Sequence, residues 1–178
     1  APFLRFPLPK GNRLGIITFS GGVGIQCIDA AESNGLIVGE LSRASRQKLA
    51  AVHATLGNHP IDVGPASATA GAHIFGLYKK CFDILREDDN IDCIYVNGYV
   101  SHGLKPAYYA DLLHDMGSCR EKPIVSWCYG PSRTLVMEFG DLAERCGIPF
   151  YATSGKAVRA LSYTVRYARW RAAVSSAE

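Results

Sequence analysis

The first residues able to do chemistry are Ser20-Gly21-Gly22-Val23-Gly24, placed directly after the apolar run Leu14-Gly15-Ile16-Ile17-Thr18-Phe19. Glycines let a backbone approach a ligand closely. The first amides of a following helix carry unpaired N–H groups and a partial positive charge, which suit a phosphate or a carboxylate. The same glycines also suit a tight turn that only lets a helix pack on a strand, and the spacing alone accommodates both readings. It is not G-x-G-x-x-G, and Glu40 is the nearest acid that could read a ribose, so a dinucleotide site is disfavoured. A G-x-x-x-x-G-K-[ST] phosphate loop and a G-x-S-x-G nucleophile elbow are both absent.

Two further loops carry polar residues. Asn58-His59-Pro60-Ile61-Asp62 reads first as a structural turn, with Asp62 accepting backbone N–H bonds, although the loop could also line the same crevice. Asn97-Gly98-Tyr99-Val100-Ser101-His102-Gly103 follows a strand and stands where open α/β sheets contact ligands. His102 there could act as a base or a nucleophile, but a histidine beside glycine in a loop is ordinarily solvated. His53, His59, His73 and His114 form no zinc-like spacing with cysteine, so no metal site is expected. Trp127 suits either the core or a pocket wall. Lys79-Lys80 and Arg43, Arg46 and Lys48 read as solvated helix faces.

These groups need a scaffold, and the hydrophobic pattern supplies one. Strands are expected at Leu14–Phe19, Leu36–Val38, Asp92–Val96, Pro123–Cys128 and Ile148–Tyr151. Helices are expected between them. The first has Ile25, Ile28 and Ala31 on its inner face and Gly35 as its stop. The second starts at a Ser42 cap and runs through Leu56. Others cover about Ala68–Glu87, Pro106–Met116, Ser132–Cys146 and Lys156–Arg171. Alternating strands and helices imply an α/β fold: a flavodoxin-like doubly wound sheet of five parallel strands, order 2-1-3-4-5, in a three-layer α/β/α arrangement. Residues 1–12 read as a linker or extended arm, 13–171 as one domain, and 172–178 as a frayed tail.

Composition narrows the function classes. With 178 residues, 48% apolar and 20% charged, the chain can bury a real core. A formal charge of +3 is too mild to imply nucleic acid or an anionic membrane as partner. No apolar run approaches the ~20 residues of a membrane span. Six cysteines without a C-x-x-C pair read as buried free thiols, which points to a reducing, cytoplasmic compartment. The start at Ala1 suggests an excised piece or one domain of a longer polypeptide, although removal of Met would look the same.

The order of these motifs resembles the C-terminal CoA-ligase domain of NDP-forming acyl-CoA synthetases, the superfamily of ADP-forming acetate–CoA ligase and succinyl-CoA synthetase. The residues that carry it are Arg13 through Gly24, then Asn34-Gly35-Leu36, Leu41-Ser42 before an Arg- and Leu-rich helix, and Asn58 to Asp62 against the family's Asn-Pro-x-Asp turn. Glu87 to Ile94, Lys122-Pro123-Ile124-Val125-Ser126-Trp127, Gly147-Ile148-Pro149-Phe150-Tyr151 and Ala157-Val158-Arg159-Ala160-Leu161 continue the match. His59 is inserted in the Asn-Pro-x-Asp turn, and the loop after Val96 is longer and more polar than the family's.

The resemblance implies one domain of an acid–thiol ligase, inactive alone, in a phosphohistidine relay whose histidine lies in another domain. It implies phosphoryl or acyl-phosphate stabilisation at Ser20, Gly21, Gly22, Val23 and Gly24, with Asn97, Gly98 and Tyr99 lining the acyl or phosphate site and Asn58 and Asp62 in a supporting loop. No catalytic residue and no tightly bound cofactor is implied here. CoA and ADP/ATP with magnesium are substrates of the complete enzyme. Its partners are CoA-binding and ATP-grasp domains or subunits and a small acyl substrate, and a homodimer is left open. The rival readings are a non-catalytic regulatory or assembly module of the same fold and a small flavin or electron-transfer protein. The first loop lacks the Ser/Thr-rich pattern that a flavin phosphate needs.

Overall fold

Strand β1 (Arg13–Thr18) sits at the centre of the sheet because its residues are apolar on both sides. Leu14, Ile16 and Ile17 are all fully buried in the computed structural model, which describes residues 6–70 and 74–175. Near-continuous apolar strands of this kind are those covered by helices on both faces. β1 is followed by α1 (Gly21–Ser33), β2 (Ile37–Val38), α2 (Arg43–Val52), a 3₁₀ turn (Ala54–Gly57), β3 (Ile61–Asp62) and α3 (Gly64–Ala70). The chain continues through α4 (Ile74–Glu87), β4 (Cys93–Tyr99), a 3₁₀ turn (Pro106–Tyr109), α5 (Ala110–Gly117), β5 (Ile124–Tyr129), α6 (Arg133–Arg145) and α7 (Ser154–Ser175).

The sheet is wholly parallel, in the order β2-β1-β4-β5, with β3 also on β1. This is the expected flavodoxin-like order, with two differences in detail. The segment at Ile148–Tyr151 joins the sheet through a single bridge, Ser126↔Phe150. Phe150 turns its ring toward α6, where a side chain on Gly140 would come within 2.6 Å of it. The unexpected β3 pairs Ile61 and Asp62 with Ile17 and Thr18, beyond the point where β2 leaves β1. Two-residue strands carry too little periodicity to be read from sequence.

Two cores lie on the two faces. Leu14, Ile16, Cys93, Tyr95 and Val125 meet α1 and α7 on one face. Ile17, Ile94, Val96, Ile124 and Cys128 meet α4, α5 and α6 on the other. Ser42 caps α2 by accepting Ser45 N–H at 3.1 Å, and Gly35 takes a left-handed φ of 76° after α1, both as the sequence indicates. On α1 the inward stripe is Val23, Gly24, Cys27 and Ala31; Ile25 is 62% exposed, because two residues from Val23 and from Cys27 it points away from that stripe. The second helix ends at Val52, where His53 turns extended and starts the 3₁₀ turn. The helix expected over 68–87 is described as α3 and α4, and residues 71–73, His73 among them, lie outside the described residues, as do 1–5 and 176–178 of the expected arm and tail. Among the described residues, no helix is long and apolar enough to cross a membrane.

Candidate functional site

The β1–α1 junction opens at the carboxyl end of the sheet, where β1 and β4 lie side by side. Ser20 has extended dihedrals (φ −152°, ψ 131°), and α1 begins at the very next residue. The glycine motif is therefore the first turn of the helix and not a loop before it. None of its glycines needs a positive φ. Gly24 is buried, and a side chain there would press on Pro60 and Thr18 at 3.4 Å. Gly21 and Gly22 are exposed, with open space around Gly22.

Gly24 N–H is tied to Ser20 O at 3.0 Å, and the Ser20 side chain makes no capping bond. The N–H groups of Gly21, Gly22 and Val23 have no acceptor among the described residues, as expected for an uncapped first turn. Three amides on an exposed turn, at the positive pole of a 13-residue helix, can bind an anion. Asp62 stands beside them: a side chain on Gly21 would meet its Oδ2 at 3.3 Å. Its Oδ1 accepts Gly64 N–H at 2.9 Å.

The expected residues divide in three. Ser20, Gly21, Gly22, Val23 and Asp62 meet at this corner. Tyr99 reaches its rim, half-buried, with Phe19 stacked at 5.2 Å on one side and Tyr129 at 5.1 Å on the other; Trp127 extends the row at 5.9 Å from Tyr129. Burial raises the Tyr129 hydroxyl pKa, the Ser20 side chain lowers it, and the Tyr99 and Asp62 charges add to the rise. Asn97 and Gly98 do not line an open loop. Strand β4 runs on to Tyr99, with Asn97, Gly98 and Tyr99 paired to Trp127, Cys128 and Tyr129. Asn97 is fully buried beneath the corner, and Gly98 packs on the far face, where a side chain would strike Phe139 at 2.9 Å.

Asn58 lies apart. It is exposed and lines a different cavity of about 380 Å³ with Gly39, Arg46 and His59. His59 closes a gap in the sheet: its Nε2 accepts Ile16 N–H at 2.8 Å, and its Nδ1–H donates to Gly39 O at 2.8 Å. Burial lowers its pKa to about 4. The sequence reads Asn58 to Asp62 as a structural turn; the partners that make His59 part of the sheet are a backbone amide and a carbonyl, which leave no mark on the sequence. His102 is exposed in a turn closed by paired bonds between Ser101 and Leu104. All six cysteines are free thiols; burial pushes Cys81 up to about 12 and raises the others. The described residues contain no cluster of three His, Cys, Asp or Glu able to hold a metal ion.

Fold and corner together define a flavodoxin-like α/β domain with an open, glycine-built helix start at its topological switch point. Solved structures share this architecture. A protein of Pyrococcus horikoshii OT3 superposes over 95% of the chain with a TM-score of 0.79 at 23% identity. The dinucleotide-forming acetyl-coenzyme A synthetase 1 of Candidatus Korarchaeum cryptofilum, solved with phosphate and ADP, superposes over 99% with a TM-score of 0.79 at 22% identity. No protein-family model matches the chain.

Curated sequences narrow the class. The ADP-forming acetate–CoA ligase II of Archaeoglobus fulgidus is 32% identical over 171 residues, 93% of this chain and 24% of that protein. Subunit alpha of the ADP-forming acetate–CoA ligase I of Pyrococcus furiosus is 28% identical over 94% of the chain and 35% of the subunit. The chain belongs with the ADP-forming acyl-CoA synthetases, as a CoA-ligase domain, and spans about a quarter to a third of the curated relatives it matches.

Proposed function

We propose that the chain works as the flavodoxin-like ligase domain of an NDP-forming acyl-CoA synthetase. The whole enzyme would catalyse acyl-CoA + ADP + phosphate ⇌ carboxylate + ATP + CoA, with magnesium accompanying the nucleotide. Residues 13–171 form the working domain in a cytoplasmic enzyme, and α7 carries helix beyond them to Ser175, where the sequence reads as a frayed tail. CoA-binding and ATP-grasp domains supply the remaining sites, and the phosphorylated histidine comes from one of them.

In this reading the domain moves no proton. Its contribution is electrostatic: the N–H groups of Gly21, Gly22 and Val23 face a phosphoryl or acyl-phosphate group and stabilise its negative charge. Preorganised amides do this without reorganising as charge shifts. The observation that carries the reading is the first turn of α1 beside the β1–β4 crevice, with Gly21 and Gly22 exposed and three amides without an acceptor among the described residues.

Gly22→Asp in the full-length synthetase tests it. A Cβ at this exposed position meets nothing closer than Ser20 Oγ at 3.8 Å, so the fold has room for the branch point. A carboxylate in a first helical turn stabilises the helix by about 0.3–1 kcal/mol. The same charge repels a phosphoryl group. The expected result is unchanged or raised thermal stability with loss of turnover; turnover at the wild-type rate would remove the reading. That outcome favours a second role, a non-catalytic assembly module, for which one observation speaks: the Asp62 carboxylate already stands beside Gly21 and offsets part of the positive pole.

A further inference from the structure

The turn that presents the three amides is held from below. Thr18 and Asn97 are both fully buried polar residues. Asn97 Oδ1 accepts Phe19 N–H at 3.4 Å and lies 3.2 Å from the Thr18 hydroxyl. Thr18 Oγ1 accepts Ser20 N–H at 3.1 Å. Its one proton has Asn97 Oδ1 and Ser20 O, at 3.0 Å, as acceptors. Two successive amides of the turn, Phe19 and Ser20, are thus held by buried side chains and not by the sheet.

The orientation of Asn97 is itself fixed. Its Nδ2 donates to Gly98 O at 3.1 Å and Trp127 O at 3.4 Å. Rotating the amide by half a turn would set NH₂ against Phe19 N–H and a carbonyl against two carbonyls. Tyr78, reaching over from α4, donates to the Asn97 main-chain oxygen at 2.6 Å. A continuous set of bonds therefore runs from β5 through Asn97 and Thr18 to Ser20, the residue whose dihedrals aim the first turn of α1.

We infer that Thr18 and Asn97 are positioning residues for the anion seat: they set the direction of the Gly21, Gly22 and Val23 amides without touching the ligand. This rests on the phosphoryl-seat reading above. Removing the Thr18 hydroxyl takes the acceptor from the half-buried Ser20 N–H and leaves Asn97 Oδ1 with Phe19 N–H alone, and losing polar partners at a buried residue is costly. The turn then relaxes, and the amides lose their common direction.

The test uses the chain, isotope-labelled, with inorganic phosphate as the probe. Amide shifts of Gly21, Gly22 and Val23 are followed against phosphate, with chloride at equal ionic strength as the control. Wild type is expected to give a saturable, phosphate-specific shift. Thr18→Val, near-isosteric but without the hydroxyl, is expected to raise the midpoint about three- to tenfold. Thr18→Ser, which keeps the hydroxyl, is expected to return it to within about twofold. A purely structural role would make both variants less stable without this split. No specific shift in wild type would remove the seat reading itself. A clear wild-type shift with the Thr18→Val midpoint unchanged would overturn the positioning role alone. Should Thr18→Val not fold, hydrogen exchange in the native chain decides: a Ser20 amide exchanging as fast as an open loop overturns the inference, and a strongly protected one supports it.

Discussion

The ring of His59 replaces a rung of the parallel sheet: its Nε2 takes the Ile16 amide at 2.8 Å in the gap between β2 and β3. β2 satisfies β1 at Arg13 and Leu14, and β3 does so at Ile17 and Thr18. Without the ring, the central strand would carry a buried unpaired amide, and Gly39 would lose the partner of its carbonyl. The insertion that departs from the family turn thus supplies the bond its own neighbourhood needs.

Protonation must break this bond, since an imidazolium has no acceptor nitrogen. Burial holds the His59 pKa at about 4, below the unfolded value of about 6.5. The unfolded chain therefore binds the proton first. The stability from this group is complete above about pH 6.5 and is lost as pH falls toward 4, by on the order of 3 kcal/mol. Urea unfolding at pH 7 and pH 5 should show wild type weakened at pH 5. His59→Ala should be weaker at pH 7 by about 2–4 kcal/mol, from two stranded backbone groups, and should lose this pH dependence. Equal pH slopes in both proteins would contradict the assignment.

Arg13 anchors the other end of β1. Its Nε and Nη2 bond both oxygens of Asp92 at 2.8 Å, and its main-chain N–H adds a third bond at 2.9 Å. The Asp92 side chain is only 3% exposed. Burial raises its pKa, but the bonds and charge of Arg13 outweigh this and hold it below the usual carboxylate range. Asp92→Asn keeps the shape and removes the charge; it should cost about 1–3 kcal/mol. Its effect should shrink only in part in 1 M salt, because Asp92 is buried while the Arg13 side chain is 37% exposed. An Asp92→Asn chain as stable as wild type in chemical denaturation would refute this.

Gly64 lets β3 and α3 close onto the end of β1. A side chain there would come within 2.5 Å of the Phe19 carbonyl, a backbone atom that cannot swing aside. Gly64→Ala should lower stability by about 1–3 kcal/mol, the ordinary cost of overpacking. It should also disturb the amide shifts of Phe19 and Ser20. Calorimetry together with those two resonances checks both parts.

The thiols should be nearly silent. Cys27, Cys81, Cys93, Cys119 and Cys128 are buried, and Cys146 is half-buried. Burial raises all six, so little thiolate exists at neutral pH. An aromatic disulfide reagent should titrate six thiols in denaturant and, in the native chain, reach Cys146 first and slowly. Rapid reaction of several native thiols would show a looser core than described.

Long periodic segments were legible because hydrophobic spacing is a local property. β1, β4, β5 and the helices from α4 to α7 fall close to where composition places them, and the Ser42 cap and Gly35 stop are short-range chemistry. The glycine run at Ser20–Gly24 was legible as the junction between a strand and a helix, but not as the first turn of the helix itself. The extension of β4 through Asn97 to Tyr99 was not, because Asn and Gly read as loop until β5 is seen alongside them. β3 escaped because two residues have no period.

The amino-acid order by itself determined the parallel α/β scaffold, the strand sequence across it and the glycine-rich junction after its first strand. Tertiary structure alone decided which polar residues lie beside that corner and which lie buried beneath it. Asn97 is a buried strand residue where the sequence reads as loop, and His59 is a rung of the sheet within a turn, for one reason. Their partners are main-chain groups from strands far away in sequence, and a main-chain amide is the same whatever side chain it carries.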